Sequence, residues 1–525
     1  MPPFEIIRPP DYVTVLAERE TLALSAATET RFEGRGVELD ALPGDGVLAL
    51  RLRSTVPLMY LQLRWSERIP EGLRYLGDTW ERADGPMEWR CLAPERDLPW
   101  YFLAYDGQHT HGVGVKTGAS ALCRWRIDPF GVTLWLDVRN GAGAVQPGDR
   151  ELSLADLVVR PGKVWELPFQ AARRFAALLD NERLLPEQPL YGLRAAQHAH
   201  AAAPTVREDA RFLADLAENT VNRPFFIVDH GWQQSAGTAG MQPGPKLGDP
   251  VALAHDIVEA GCRPGLWLRP LLSGTAEHDA CALPRGRFAM QPIGRVLDPT
   301  HPETEETIRL DVARAVAWGF ELLRYDATTL DLLGEYAPFS PSSTEPGWRF
   351  GDISLTTAEV LRNLYTLLRE ATRGGALLAA SNALGHLAAG QVHMQSIAER
   401  AGHERRLRPH IVAANALAFR GYQHGALYAA EVGPVELGGI VPWQLGEQWL
   451  RLVAASGTPC FVALGSKPLD TAQQRALRTA LSQASRQLPL AEPLDWLSTT
   501  DPGRWKLGNE TAAFDWYSAQ YGPPA

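Results

Sequence analysis

The chain changes its rhythm near Pro189, and this change constrains the fold more than any other feature of the sequence. After Pro189, buried apolar runs alternate with amphipathic helical stretches, and eight such units occupy roughly 280 residues. The candidate strands are 190–195, 225–229, 264–268, 321–326, 377–381, 391–396, 426–430 and 461–464. This pattern predicts a closed (β/α)₈ barrel. The alternative is an open doubly wound sheet, which we disfavour because no GxGxxG motif opens the unit.

The residues before Pro189 show a different pattern. From about residue 20 to 165, short β-rich runs are separated by Gly, Asp and Pro, which is typical of a β-sandwich. We therefore expect a multidomain chain with an amino-terminal β-sandwich and a (β/α)₈ barrel. The predicted parts are a sandwich at 1–165, a helical linker at 166–188, the barrel at 189–470, and a carboxyl-terminal helix with a short β extension at 471–525.

Charge and composition exclude several classes of function. The chain has 61 acidic and 51 basic residues and a formal net charge of −10, so no global basic field favours nucleic acid or an anionic membrane. Its start has no basic region followed by an apolar run, and about 18 consecutive apolar residues occur nowhere. Five scattered cysteines show no metal-ligand spacing. We expect a cytoplasmic protein without a metal or cofactor; the sequence leaves its oligomeric state open, a homo-oligomer included.

Polar and aromatic residues follow the predicted barrel strands at their carboxyl ends. In a barrel these ends form the mouth, where functional residues lie. The set consists of Asp229, Trp267, Arg269, Asp326, Asn382, Glu399 and Glu431. Each acid taken alone could instead cap the following helix, but the whole set favours a functional mouth.

Other enzyme chemistries lack their local signatures. The chain contains no GxSxG elbow, no phosphate-binding lysine loop and no HExxH motif. His198 and His200 have no nearby acid that could complete a metal site.

The order of motifs resembles the α-galactosidase clan of retaining glycosidases, in particular glycoside hydrolase family 36. The stretches that carry the resemblance are PFFIVDHGWQ, RPGLWLRPLL, VLDPTHPE, WGFELLRYDATT and LLAASNALGH. They follow strands two to five of the predicted barrel, and the resemblance covers essentially the whole chain. It implies an α-galactoside-like sugar as the substrate, a small carbohydrate.

The resemblance also implies roles for individual residues. Asp326 matches the family nucleophile, and Arg324 matches a basic residue that contacts the sugar. The period of a strand places both side chains towards the mouth, where the cation would keep the acid ionised. Asp229 matches the first of two aspartates that hold sugar hydroxyls. The expected substrate-binding residues are Asp229, His230, Trp232, Trp267, Arg269, Arg324, Asn382 and Glu431.

The sequence departs from the family pattern at the mouth. His230 stands at the second strand-two aspartate, and strand one has no aromatic residue after Tyr191. The acid/base position near strand six matches Arg400 without a gap, Glu404 after a shift of four residues, or Glu399 one residue early. Arginine does not deprotonate in proteins and cannot serve as acid/base.

These departures leave two functions open. The first is a glycosidase that works by retaining double displacement with Asp326 as the nucleophile and Glu399 or Glu404 as the acid/base. The second is a catalytically impaired relative that only binds carbohydrate.

Overall fold

A computed structural model describes residues 4–80, 87–180, 182–194, 203–234, 237–288, 294–334, 347–398, 408–465 and 467–517. The amino-terminal part forms one antiparallel sheet of 13 strands. These strands are β1 (Tyr12–Ala17), β2 (Thr21–Ala26), β3 (Arg31–Gly34), β4 (Val37–Gly44), β5 (Val47–Ser54), β6 (Leu58–Ser66), β7 (Arg74–Gly77), β8 (Leu98–Pro99), β9 (Tyr101–Tyr105), β10 (Thr110–Val115), β11 (Leu122–Asp128), β12 (Gly131–Asp137) and β13 (Leu152–Arg160).

Strand β2 joins the two halves of this sheet. The strand order is β7-β9-β10-β13-β5-β4-β3-β2-β1-β6-β12-β11-β8. The first residues of β2 pair with β1, whereas Ser25 and Ala26 at its end pair with β3. Side chains of the two halves contact each other, as the rings of Phe102 in β9 and Trp125 in β11 show at 5.9 Å. This arrangement agrees with the layered β structure that the strand rhythm indicates.

Helix α1 (Pro168–Leu179) follows and packs on β10. The ring of Phe175 lies so close to Gly112 that a Cβ atom there would fall 2.2 Å from it. Glycine is therefore needed at this position, because any larger residue would push the helix away from the sheet.

The second half of the chain alternates strands and helices. In chain order the elements are β14 (Tyr191–Arg194), α2 (Ala203–Leu216), β15 (Phe225–Val228), α3 (Pro250–Glu259), β16 (Arg263–Leu268), β17 (Leu272–Ser273), β18 (Arg295–Val296), α4 (Pro302–Ala317), β19 (Leu322–Tyr325), α5 (Thr328–Leu333), α6 (Thr357–Ala371), β20 (Leu377–Ala380), α7 (Gly385–Ala388), β21 (Met394–Ser396), α8 (Pro409–Arg420), β22 (Ala429–Glu431), β23 (Val435–Leu437), α9 (Trp443–Ala455) and β24 (Cys460–Leu464).

All eight predicted strands are present in one parallel sheet of nine. Its order is β22-β21-β20-β19-β16-β15-β14-β24-β23, so the first and last predicted strands pair with each other. The two edge strands, β22 and β23, are consecutive in the chain, and only residues 432–434 separate them. Since three residues span roughly 10 Å, the sheet curls until its edges lie close together. We call this curved sheet the barrel.

The barrel interior has two layers. The lower layer is a separate apolar cluster made by Leu190, Phe225, Ile227, Leu322, Ala379, Met394, Ala429 and Phe461. Positions further along the same face of the strands, nearer their carboxyl ends, hold the upper layer, which we define as Arg194, Asp229, Trp267, Arg324, Asp326 and Glu431. The period of two residues thus places apolar side chains below and polar or aromatic ones above.

The chain continues with α10 (Thr471–Ala484) and a three-stranded antiparallel sheet of β25 (Glu492–Pro493), β26 (Arg504–Leu507) and β27 (Glu510–Ala513). A helix and short strands are expected in this region. Among the helices of the described ranges, none has both the length and the apolar character of a membrane span. The boundaries of the four parts of the chain stay a prediction.

Candidate active site

Asp326 follows β19 directly, and its carboxylate receives two hydrogen bonds. The indole N–H of Trp267 donates to Oδ2 over 3.3 Å, and the backbone N–H of Ala327 donates to Oδ1 over 2.7 Å. Ala327 has a φ of 62°, a left-handed conformation that is costly for a residue with a Cβ. The backbone therefore turns sharply at the point where Asp326 is presented.

The capping alternative for Asp326 does not match this geometry. The residue at the N-cap position of α5 is Ala327, whose own side chain makes no capping hydrogen bond. The backbone N–H that Asp326 accepts belongs to its immediate neighbour Ala327, one residue too early to satisfy the first turn.

Arg324 and Glu431 form a buried ion pair in the upper layer. The guanidinium Nη2 donates to Glu431 Oε2 over 3.2 Å, and both side chains are at most 3% exposed. Three atoms of the pair, Arg324 Nε and Nη1 and Glu431 Oε1, are buried without a hydrogen-bond partner among the described residues. Burial lowers the pKa of Arg324, as does the nearby Arg194, while Glu431 opposes the shift. Such orphaned donors and acceptors are available for the hydroxyls of a polar ligand.

Asp229 is shared by two basic residues. Arg194 directs Nε and Nη2 at Asp229 Oδ2, over 3.0 Å and 2.7 Å. The backbone N–H of His230 donates to Oδ1 over 2.8 Å, and the His230 ring Nδ1 lies 3.3 Å from the same atom. Burial would raise the pKa of Asp229, but Arg194 and these hydrogen bonds outweigh it and hold the pKa well below the ordinary range. Asp229 is therefore an anion at neutral pH.

Arg269 is held by an acid that the sequence did not indicate. Its guanidinium makes two bonds to Asp331 in α5, over 3.1 Å and 2.6 Å. Asp331 is fully buried, and burial raises its pKa while Arg269 opposes the shift. The expected sugar-binding role of Arg269 is thus limited, because one edge of its guanidinium is already occupied.

Two residues of the site were missed from sequence, Arg194 and Asp331. Arg194 is the last residue of β14, so the rule that selected the other strand ends could have found it. Asp331 lies within the apolar run TTLDLL, where a charged residue in a buried helix was the available signal.

Trp232 and Asn382 both make contacts within the protein itself. Trp232 is fully buried, donates its indole N–H to the backbone oxygen of Trp267 over 2.8 Å, and packs edge-on against Trp318. It supports β16, and its expected role in substrate binding stays a prediction. Asn382 is buried and accepts the N–H of Leu330 through Oδ1 over 2.8 Å, so this oxygen stabilises the start of α5.

The candidate acid/base residues Glu399 and Glu404, and Arg400 between them, lie outside the described residues, as do His198 and His200. Among the described residues, three groups bring donor atoms within 4.8 Å, and none includes a residue of the upper layer. They are Asp106 with His109 and His111, Cys281 with His301 and Glu303, and His255 with Asp256 and Glu259.

The charged residues of the upper layer are therefore paired with one exception. Arg324 pairs with Glu431, Arg194 with Asp229, and Arg269 next to the layer pairs with Asp331. Within the described part of the chain, Asp326 is the carboxylate of this mouth that receives only neutral N–H donors. A carboxylate that is not consumed by an ion pair is the group that can attack an electrophilic carbon.

The chain as a whole has the fold of the family 36 α-galactosidases, a β-sheet domain coupled to a barrel. One similar structure is the α-galactosidase TtGalA from Thermus thermophilus in complex with p-nitrophenyl α-D-galactopyranoside, with 16% identity and a TM-score of 0.61. The match covers 96% of this chain and 99% of that one.

Two further structures have the same fold. The family 36 α-galactosidase AgaA of Geobacillus stearothermophilus, in complex with 1-deoxygalactonojirimycin, gives a TM-score of 0.61 at 14% identity and covers 94% of this chain and 76% of its own. The family 31 dextranase of Flavobacterium johnsoniae, complexed with glucose, gives 0.57 at 10% identity, with 99% and 70% covered. Neither a protein-family model nor a curated protein sequence matches the chain.

Proposed function

We propose that this protein is a glycosidase for α-linked sugars that works by retaining double displacement with Asp326 as its nucleophile. The observation that carries the proposal is the state of Asp326, whose carboxylate lies at the end of β19 without a cation partner among the described residues, whereas the other described acids of the mouth are paired. The fold is that of glycosidases crystallised with galactosides, which supports an α-galactoside-like substrate.

In this mechanism the Asp326 carboxylate attacks the anomeric carbon and the glycosidic oxygen leaves with the bonding electrons. The N–H groups of Trp267 and Ala327 hold the carboxylate in place. The orphaned atoms of Arg324 and Glu431 would bind sugar hydroxyls. Glu399 and Glu404 remain the proposed acid/base candidates, one of which would protonate the leaving oxygen and then activate water.

The test is the Asp326→Asn variant with p-nitrophenyl α-D-galactopyranoside and a panel of other p-nitrophenyl α-glycosides. We expect kcat to fall by on the order of 10³-fold or more, because the amide is a poor nucleophile of the same volume. Asp215→Asn is the matched control, since Asp215 is an exposed barrel residue that pairs with Arg478. Near wild-type turnover by a folded Asp326→Asn protein would disprove the assignment.

A further inference from the structure

One corner of the mouth carries more basic than acidic groups. It consists of Arg194 at the end of β14 and of Asp229 and His230 after β15, which we call the basic corner. A single carboxylate, Asp229, serves both an arginine and a histidine there. The other two ion pairs of the mouth match one arginine with one acid. The basic corner therefore holds one excess positive charge whenever His230 is protonated.

His230 is the most exposed group of this corner, since the side chain of Arg194 is only 11% exposed. The side chain of His230 is 46% exposed, whereas that of Asp229 is 3% exposed. Both carboxylate oxygens of Asp229 already accept hydrogen bonds from protein groups. Asp229 is therefore poorly placed to hold sugar hydroxyls, the role that the family resemblance implies for it.

Several charged groups from the neighbouring strands face His230. The hydrogen bond to Asp229 raises the pKa of His230, and Asp326 on the next but one strand acts in the same direction. Arg194 on the other side and partial burial both lower it, but the net pKa stays above the ordinary histidine value. The raised pKa favours the protonated, cationic form of His230.

The basic corner and the candidate nucleophile lie on either side of one indole. The His230 ring is 5.8 Å from the ring of Trp267 and nearly edge-on to it. The N–H of the same indole donates to Asp326 Oδ2. A sugar whose anomeric carbon faces Asp326 would thus place a substituent remote from that carbon near His230 and Arg194.

We propose, resting on the glycosidase function above, that the basic corner recognises an anionic substituent on the sugar, a carboxylate or a phosphate. Arg194 and His230 supply two cationic donors at this corner, and such donors form stronger hydrogen bonds with an anion than neutral donors do. Asp229 is a positioning residue in this scheme, because it orients both bases.

The first test measures binding by calorimetry with the full chain, using D-galactose, D-galacturonate and D-galactose 6-phosphate. We expect one of the two anionic sugars to bind about tenfold or more tightly than galactose, as charge-assisted hydrogen bonds replace neutral ones. The difference in affinity between galacturonate and galactose 6-phosphate shows whether the basic corner recognises a carboxylate or a phosphate. Galactose binding as tightly as both anionic sugars would overturn the proposal.

The variant His230→Gln sharpens this result, because the amide preserves a hydrogen bond to Asp229 but carries no charge. We expect it to lose most of the preference for the anionic sugar over galactose, and the preference of the wild type to decline as the pH rises through the pKa of His230. His255→Gln, an exposed histidine of α3, is the matched control. Arg194→Gln should act in the same direction, although it leaves a buried carboxylate without its cation. An unchanged preference in a folded His230→Gln protein would overturn the proposal.

Turnover separates this proposal from the function on which it rests. We expect p-nitrophenyl α-D-galactosiduronic acid or the corresponding 6-phosphate to be cleaved with a higher kcat/KM than the neutral galactoside. Cleavage of only the neutral compound would refute the basic corner and leave the glycosidase intact. Absence of turnover with every glycoside would refute the glycosidase, and the binding measurements would still decide the role of the corner.

Discussion

The lower and upper layers of the barrel are built by the same strands but are stabilised in opposite ways. The lower layer consists of apolar side chains that need only fill the space. The upper layer begins two residues further along and holds charged groups that are almost as deeply buried, such as Arg324 and Glu431. The apolar side chains of the lower layer exclude water from one side of the charged groups in the upper layer and therefore desolvate them.

This difference explains why most acids of the upper layer are paired. A buried charge is costly unless a partner of opposite sign compensates it. Asp326 is only partly buried and is the acid that the described residues leave without such a partner. We therefore expect the unpaired acid of this mouth to be the reactive group, and the paired charged groups to contribute to the stability of the fold.

The largest effect on stability is expected when a pair of the upper layer is broken. Glu431→Gln removes the ion-pair partner that Arg324 has among the described residues and leaves a buried cation, so the free energy of unfolding should fall by about 3–5 kcal/mol. Urea denaturation measures this. The control is Glu151→Gln, which breaks the exposed pair with Arg53 and should cost less than about 1 kcal/mol. Equal losses in the two variants would contradict the distinction between buried and exposed pairs.

A smaller, pH-dependent effect on stability is expected at a buried acid whose negative charge is only weakly compensated by its neighbours. Asp311 in α4 accepts the N–H of Gly240 over 2.7 Å, and Arg314 lies 3.5 Å away. Burial outweighs both and raises the pKa of Asp311 to about 7. The folded state thus keeps a proton that the unfolded chain releases near pH 4, so this group's contribution to stability is complete below about pH 4 and is lost as the pH rises through about 7.

Asp311→Asn removes this titration. We expect the variant to gain stability over the wild type by about 1 kcal/mol or more between pH 4.5 and pH 8, measured by denaturation at each pH. A difference between the two proteins that stays constant over this range would show that Asp311 does not keep its proton in the folded state.

The smallest effect is expected in the lower layer. Ile227→Val removes one methylene from the lower layer and should lower the free energy of unfolding by about 1 kcal/mol. Turnover should remain at the wild-type level, since Ile227 does not border the space above Asp326. Val221→Ala, at an exposed valine, is the control and should change stability by less than about 0.5 kcal/mol. A large loss of turnover in Ile227→Val would show that the two layers are not independent.

The strand order and the candidate nucleophile could be read from the sequence because both depend on local patterns. Alternating apolar runs and amphipathic helices indicated the eight strands, and the carboxyl ends of those strands located Asp326, Asp229 and Glu431 at one edge. The strand period alone indicated that Arg324 and Asp326 share a face. These features follow from backbone geometry, which each segment carries in its own residues.

The pairing of the charges was decided only by the tertiary structure. Arg194 and Asp229 are 35 positions apart in the chain, and Arg324 and Glu431 are 107 apart. Neither separation in sequence indicates a contact, because these residues meet only when the curved sheet brings the strand ends together. Trp232 shows the same limit, since its packing against Trp318, 86 positions away in the chain, could not be read from any local pattern. The partner of each charged residue depends on which groups the fold brings close together in a space without water. No local pattern in a single sequence indicates this proximity.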